Sequence, residues 1–292
     1  MIDQTMTVSR LICYPIKSTA GISVQEIQVN RHGYAADGVQ DHGLMVIDER
    51  GIFVTQRKDK NDGPMAMRGI ASMCLIKPSV VGNELIIRAP QMSEIRFPIG
   101  QHMRRRQTAH VWKRTYQVQE VDPEVSMWFT EFLNREAGGR YRLVRKCDDF
   151  DGLTSDGEGI TTFTDGYPLL ITSEESLGGV NRRMDGPPVD HDRFRPSIVF
   201  SGCKQPHDED RMRSVKVGDA FLSWHSLCDR CPMPGIDQAT AALDGRPLQA
   251  LAKYRRMKPG SSKVQFGSNF NHKTSGTIRV GDDVTVLRWA PA

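Results

Sequence analysis

The feature that most constrains this chain is a long succession of short apolar runs that alternate with polar residues at period two. Residues 7–14, 24–29, 80–87, 141–144, 197–200, 214–217, 220–224, 276–280 and 283–287 read as strands, bounded by Gly, Pro, Asn and Asp. Pro15 ends the first, because proline cannot donate to a ladder. Residues 44–47 and 52–55 flank Asp48-Glu49-Arg50-Gly51, which predicts a hairpin. Helical spacing is rarer. It begins at Asp122-Pro123 with Val125, Trp128, Phe129, Phe132 and Leu133 on one face, and it recurs after Ser173 and over 247–257. Strands that do not alternate with helices predict a mainly β or α+β architecture, with a β-barrel and a few amphipathic helices, rather than a doubly wound sheet.

The composition narrows the function classes. With 38% hydrophobic and 25% charged residues the chain is ordinarily globular, and no run of 18 apolar residues marks a membrane span. Residues 1–4 lack the basic and apolar regions of a secretory signal. Six cysteines in a chain too long to need disulfide staples fit reduced thiols, so a cytoplasmic setting is expected. The net charge of +4 is mild and the run Arg104-Arg105-Arg106 has no interleaved aromatics, which argues against nucleic-acid binding.

Two cysteines approach each other in sequence at Cys228-Asp229-Arg230-Cys231. A neighbouring cation favours a thiolate, the form that reacts and that binds soft metals. From the residues alone three readings stay open. A zinc half-site needs a second ligand pair that the sequence does not show. A dithiol redox centre usually opens a helix, whereas Pro232-Met233-Pro234-Gly235 follows here. The bland alternative is a pair of thiols that simply pack.

The blocks around the cysteines break this tie. Tyr14-Pro15-Ile16-Lys17-Ser18, Asp41, 45–48 and 55–57 are followed by Phe194-Arg195-Pro196, the cysteine pair, 237–240, Phe266-Gly267-Ser268-Asn269 and 276–282. In that order the chain resembles the MOSC domain, named after the C-terminal part of molybdenum cofactor sulfurase, preceded by the MOSC N-terminal β-barrel domain. The resemblance implies an N-terminal domain over 7–122 and a MOSC domain over 123–292. It also implies a Mo-molybdopterin cofactor whose metal is held by Cys231, the residue matching the family's ligand and the expected catalytic residue. Lys17, Ser18, His42, Thr172, Ser173, Arg195, Ser197, Arg230 and Asn269 are expected to bind the rest of the cofactor, the cations and a helix start at Ser173 serving its phosphate.

The implied activity is reduction of hydroxylamines and amidoximes by oxygen-atom removal. With no flavin or haem motif in view, electrons are expected from a separate reductase or carrier protein, and no membrane partner is expected. The rival reading is a sulfur or cofactor carrier that uses a Cys231 persulfide without turnover. The chain departs from the family pattern at His42 and Ser197, where relatives often have arginine and asparagine. It departs again at 236–241, where a proline and a glycine are replaced by Gln238 and Ala241.

Overall fold

The computed structural model describes residues 5–291 except 59–62, 64, 156 and 158. Residues 1–4, read for a signal, therefore lie outside the described residues.

Among the described residues the main element is an eight-stranded sheet. Its order is Ile22–Val24, Thr7–Cys13, Ile198–Ser201, Leu169–Ser173, Val264–His272, Ala220–Arg230, Met212–Val217 and Val284–Trp289. All neighbours run antiparallel except Leu169–Ser173 and Ile198–Ser201, which are parallel. Leu11, Ile171, Phe200, Leu222 and Phe270 are buried in one cluster on this sheet. The first strand thus sits between the edge strand 22–24 and 198–201, inside a sheet built mostly from the second half of the chain.

Smaller sheets complete the N-terminal half. Lys77–Val81 and Glu84–Arg88 pair as the expected hairpin. The hairpin expected over 44–55 is confined to its turn: the Asp48 N–H donates to the Ile52 carbonyl at 2.9 Å and an isolated antiparallel bridge joins Ile47 and Phe53. Leu44–Ile47 pairs at length with Arg142–Lys146. Asp48, fully buried, holds the turn, its carboxylate accepting from the Arg50 and Ile52 backbone N–H groups. Helix α1 (Pro123–Leu133), capped by Asp122 on the Glu124 N–H, presses Val125, Phe129 and Leu133 against Ile70, Leu85 and Ile87. Helices α2 (Glu174–Asn181) and α3 (Arg246–Ala252) cover the other end of the large sheet through Leu177, Val180, Leu251 and Phe266.

The strand carrying the cysteines reaches Arg230, beyond the residue 224 read from the sequence. Its pairing with Val264–His272 slips between Trp224 and Ser226 and again between Leu227 and Asp229. Such bulges re-aim side chains and bend the strand. Gly267, at φ 76° on the facing strand, is required there: a Cβ would stand 2.8 Å from Thr172 Cγ2 and 2.9 Å from the Ile171 carbonyl.

Candidate functional site

The doubly bulged strand forms one wall of a cavity of about 420 Å³, in which the consecutive residues Ser226 to Cys231 all take part. A regular strand would turn every second one of these away. Opposite stand the turn after the first strand (Tyr14, Lys17, Ser18), the Asp41-His42 loop, the 164–168 segment, and Arg195 with Ser197.

The pocket is shaped by backbone conformations that side chains normally avoid. Ser18 (φ 69°), His42 (φ 47°) and Arg195 (φ 55°) are left-handed non-glycine residues, and all three line it. Each such residue costs on the order of 1–3 kcal/mol and persists only where the surroundings over-determine it. The surroundings here are specific. Buried Asp41 accepts from the Tyr14 N–H at 2.8 Å, from the Tyr34 hydroxyl at 2.8 Å and pairs with His42 Nδ1 at 2.5 Å. Arg195 lays its guanidinium over the Tyr14 ring at 4.1 Å and donates to the Thr19 carbonyl at 2.5 Å. Ser18 accepts from the Gln56 side chain at 2.8 Å through its carbonyl.

Lys17 is 4% exposed, its ammonium paired with Asp165 and 5.4 Å from the Phe53 ring centre. Asp165 keeps 60% of its side chain exposed, so desolvation, which raises its pKa, is limited. The Lys17 ammonium and a 2.9 Å bond from the Trp112 indole then hold it well below the usual carboxylate range. Arg230 bridges the wall, donating to Cys228 Sγ at 3.0 Å and to the Phe194 carbonyl at 2.7 Å. Burial pushes the Cys228 thiol up, and the guanidinium pulls it back only in part. The arginine that the sequence assigned to Cys231 therefore touches Cys228. Cys231 is half-buried and makes no hydrogen bond to a described residue.

Of the residues expected from the sequence, Lys17, Ser18, His42, Arg195, Ser197, Arg230, Cys231 and Asn269 meet in this one cavity. Thr172 and Ser173 do not reach it. Both are fully buried: Thr172 bonds His191 Nδ1, and Ser173 caps α2 on the Ser176 N–H and donates to Glu209 Oε2. The helix start expected to hold an anion is filled by its own cap. Asp165 and Tyr167 line the pocket without having been singled out, and Tyr14, read only as part of a block, lines it too. Asp165 and Tyr167 flank a glycine before a proline, a combination too common in turns to mark a site.

Two observations test whether this cavity suits a phosphate-bearing, metal-carrying cofactor. Arg195 Nη2 and Arg230 Nε are buried without a partner, so cationic donors remain unspent on two residues that line the cavity with Cys231. Among the described residues no three His, Cys, Asp or Glu side chains gather as a metal cage, so a metal here would bring most of its ligands with it. The residues present fit such a group.

The fold is a mainly β one whose largest sheet walls a cavity lined by a thiol and by arginines, and the comparisons specify its family. The chain matches the MOSC N-terminal beta barrel domain over residues 5–136 and the MOSC domain over 158–285, and it belongs to the MOSC-domain family. It is 29% identical to mitochondrial amidoxime reducing component 2 of Homo sapiens, over 97% of this chain and 84% of that protein. With mitochondrial amidoxime-reducing component 1 of Homo sapiens it shares 29% identity over 98% of this chain and 85% of that protein. The YUAD protein of Bacillus subtilis aligns over 96% of this chain and 94% of its own at 11% identity, with a TM-score of 0.37.

Proposed function

We propose that this chain is a molybdenum-cofactor oxidoreductase that reduces N-hydroxylated compounds, amidoximes and hydroxylamines, to the corresponding amidines and amines. The observation that carries this reading is the convergence of three strained residues, two unpaired buried guanidinium nitrogens and one unbonded thiol on a single cavity. The naming of relatives as amidoxime-reducing components supports the substrate class.

In this reading Cys231 ligates the metal, and Lys17, Arg195 and Arg230 hold the phosphate-bearing part by charge-assisted hydrogen bonds. Ser18, His42, Ser197 and Asn269 supply uncharged or weakly charged contacts. The bound cofactor supplies the two-electron chemistry that removes the oxygen. The balance is R–NHOH plus two electrons and two protons giving R–NH2 and water, the electrons arriving from a separate reductase or carrier protein. Asp165, held ionised by Lys17 and Trp112, is an acceptor at the cavity wall for an N–H or O–H of the substrate. Among the described residues no helix is long and apolar enough to cross a membrane. A cytoplasmic setting belongs to the same proposal, although the relatives are named as mitochondrial.

The test is expression in cells that make the cofactor, followed by metal and pterin analysis and an amidoxime-reduction assay with a generic electron donor. Wild type is expected to carry close to one molybdenum, and Cys231→Ala to lose at least tenfold in metal content. Full metal in the variant, or none in wild type, rejects the assignment. Persulfide on Cys231 without turnover points to the carrier alternative.

A further inference from the structure

Trp112 is the first residue of the two-residue turn between strands Arg106–Val111 and Arg114–Glu120. Its φ is 56°, a value that hairpin turns normally reserve for glycine or asparagine. A bulky residue there is an outlier that needs a cause. The cause lies at the cavity. The indole Nε1–H donates to Asp165 Oδ1 at 2.9 Å, the same oxygen that pairs with Lys17. The Arg57 guanidinium stacks 4.4 Å from the ring centre, and Phe53 meets the ring edge-on at 5.1 Å.

Arg57 covers part of the ring and Phe53 abuts it, yet Trp112 remains 40% exposed, so part of the indole stays open. A tryptophan held in a strained turn by three partners, partly open to solvent and hydrogen-bonded to Asp165 of the cavity lining, offers a rigid apolar surface next to the cavity. Planar π systems stack on such faces.

Resting on the reading of the cavity as an N-hydroxylated-compound reductase site, we propose that Trp112 is a specificity-determining residue. Its open indole surface is a stacking platform for the planar aromatic part of the substrate, so the site prefers aromatic over small aliphatic amidoximes. Asp165, tethered to the same indole, sets where that platform stands relative to the cavity.

The test uses cofactor-loaded wild type, Trp112→Gly and Trp112→Phe, with benzamidoxime and acetamidoxime as probes. Binding is measured by calorimetry, and kcat/KM is measured separately. Glycine is compatible with the turn, and phenylalanine keeps a ring while losing the N–H; thermal unfolding checks that both variants fold. Wild type is expected to favour benzamidoxime, and Trp112→Gly to lower the benzamidoxime-to-acetamidoxime ratio of affinities about tenfold. Trp112→Phe is expected to retain most of that ratio. A ratio in Trp112→Gly within twofold of wild type, or a wild type that binds benzamidoxime no better than acetamidoxime, overturns the platform. If wild type binds with the expected preference but reduces neither compound, the reductase reading falls and the platform stands.

Discussion

At the scale of residues, the loop at 236–241 shows how a turn survives the loss of its usual formers. Ala241 stands where the family pattern has glycine, and it still takes φ 62°. The turn closes through the Ala241 N–H on the Asp237 carbonyl at 2.8 Å, and the Asp237 carboxylate accepts from the Ala239 and Thr240 N–H groups. Gln238, in place of proline, exchanges hydrogen bonds with Gln56 and ties the loop to the N-terminal half. At this φ alanine carries a strain that glycine would not. Ala241→Gly is expected to stabilise the protein by about 1 kcal/mol, less the greater freedom glycine gains on unfolding; urea denaturation measures it, and a loss of stability would mean the left-handed turn is not maintained in solution. The sequence made Lys17, Arg195 and Cys231 legible because they occur in an ordered series of blocks. Thr172 and Ser173 misled because a capped helix start after a strand looks the same whether its N–H groups meet a ligand or its own serine.

At the scale of elements, strands announced themselves at turns such as Gly82-Asn83, although not at Asp37-Gly38 between Gly33–Ala36 and Val39–Gln40. The hairpin over 106–120 did not, although Ala109, Val111, Tyr116 and Val118 alternate as buried residues. Its turn is Trp112-Lys113, with no turn-forming residue to read. Helix α2 illustrates a different dependence. Its cap shares Glu209 with Ser176, whose hydroxyl donates to Oε2 at 2.8 Å, while Oε1 is buried without a partner. Burial, reinforced by Asp210, raises the Glu209 carboxyl to about 7 from an ordinary 4.5. The folded state therefore holds a proton that the unfolded chain releases. The stabilisation is full below about pH 4.5 and is lost as pH rises through 7, a difference on the order of 3 kcal/mol. His207, which burial and then Arg255 and Arg183 lower to about 3, acts oppositely between its ordinary 6.5 and that value. The decisive quantity is thus the stability of wild type minus that of Glu209→Gln, which is expected to fall by about 3 kcal/mol between pH 4.5 and 8. A flat difference by urea denaturation would show that Glu209 is ionised in the folded protein throughout.

At the scale of the whole molecule, the two family matches divide the chain near its middle, and the strands do not. Thr7–Cys13 lies inside the large sheet, and the backbone of Met6 and Val8 bonds residues 282 and 284 near the other end of the chain. Helix α1 and strand Arg142–Lys146 pack with the N-terminal half. A fragment of residues 138–291 would leave Ile198–Ser201 as a bare sheet edge, and it is expected to aggregate or to melt without cooperativity. Co-expression with residues 1–137 is expected to restore a soluble complex, and a cooperative melt of the C-terminal fragment alone would refute this interdependence. Sequence patterns fix which segments are strands, but partners separated by nearly 190 residues leave no local trace of one another.

That same placement of the first strand also sets a timetable for the cavity. The Thr7–Cys13 strand is made early, yet its neighbour Ile198–Ser201 follows only after roughly ten to forty seconds of further synthesis at 5–20 residues per second. Lys17 and Ser18 must wait longer still for Arg230 and Cys231 to emerge. Loading of the proposed cofactor would therefore follow the synthesis of residue 231, and until its partner is made the apolar first strand is exposed to aggregation.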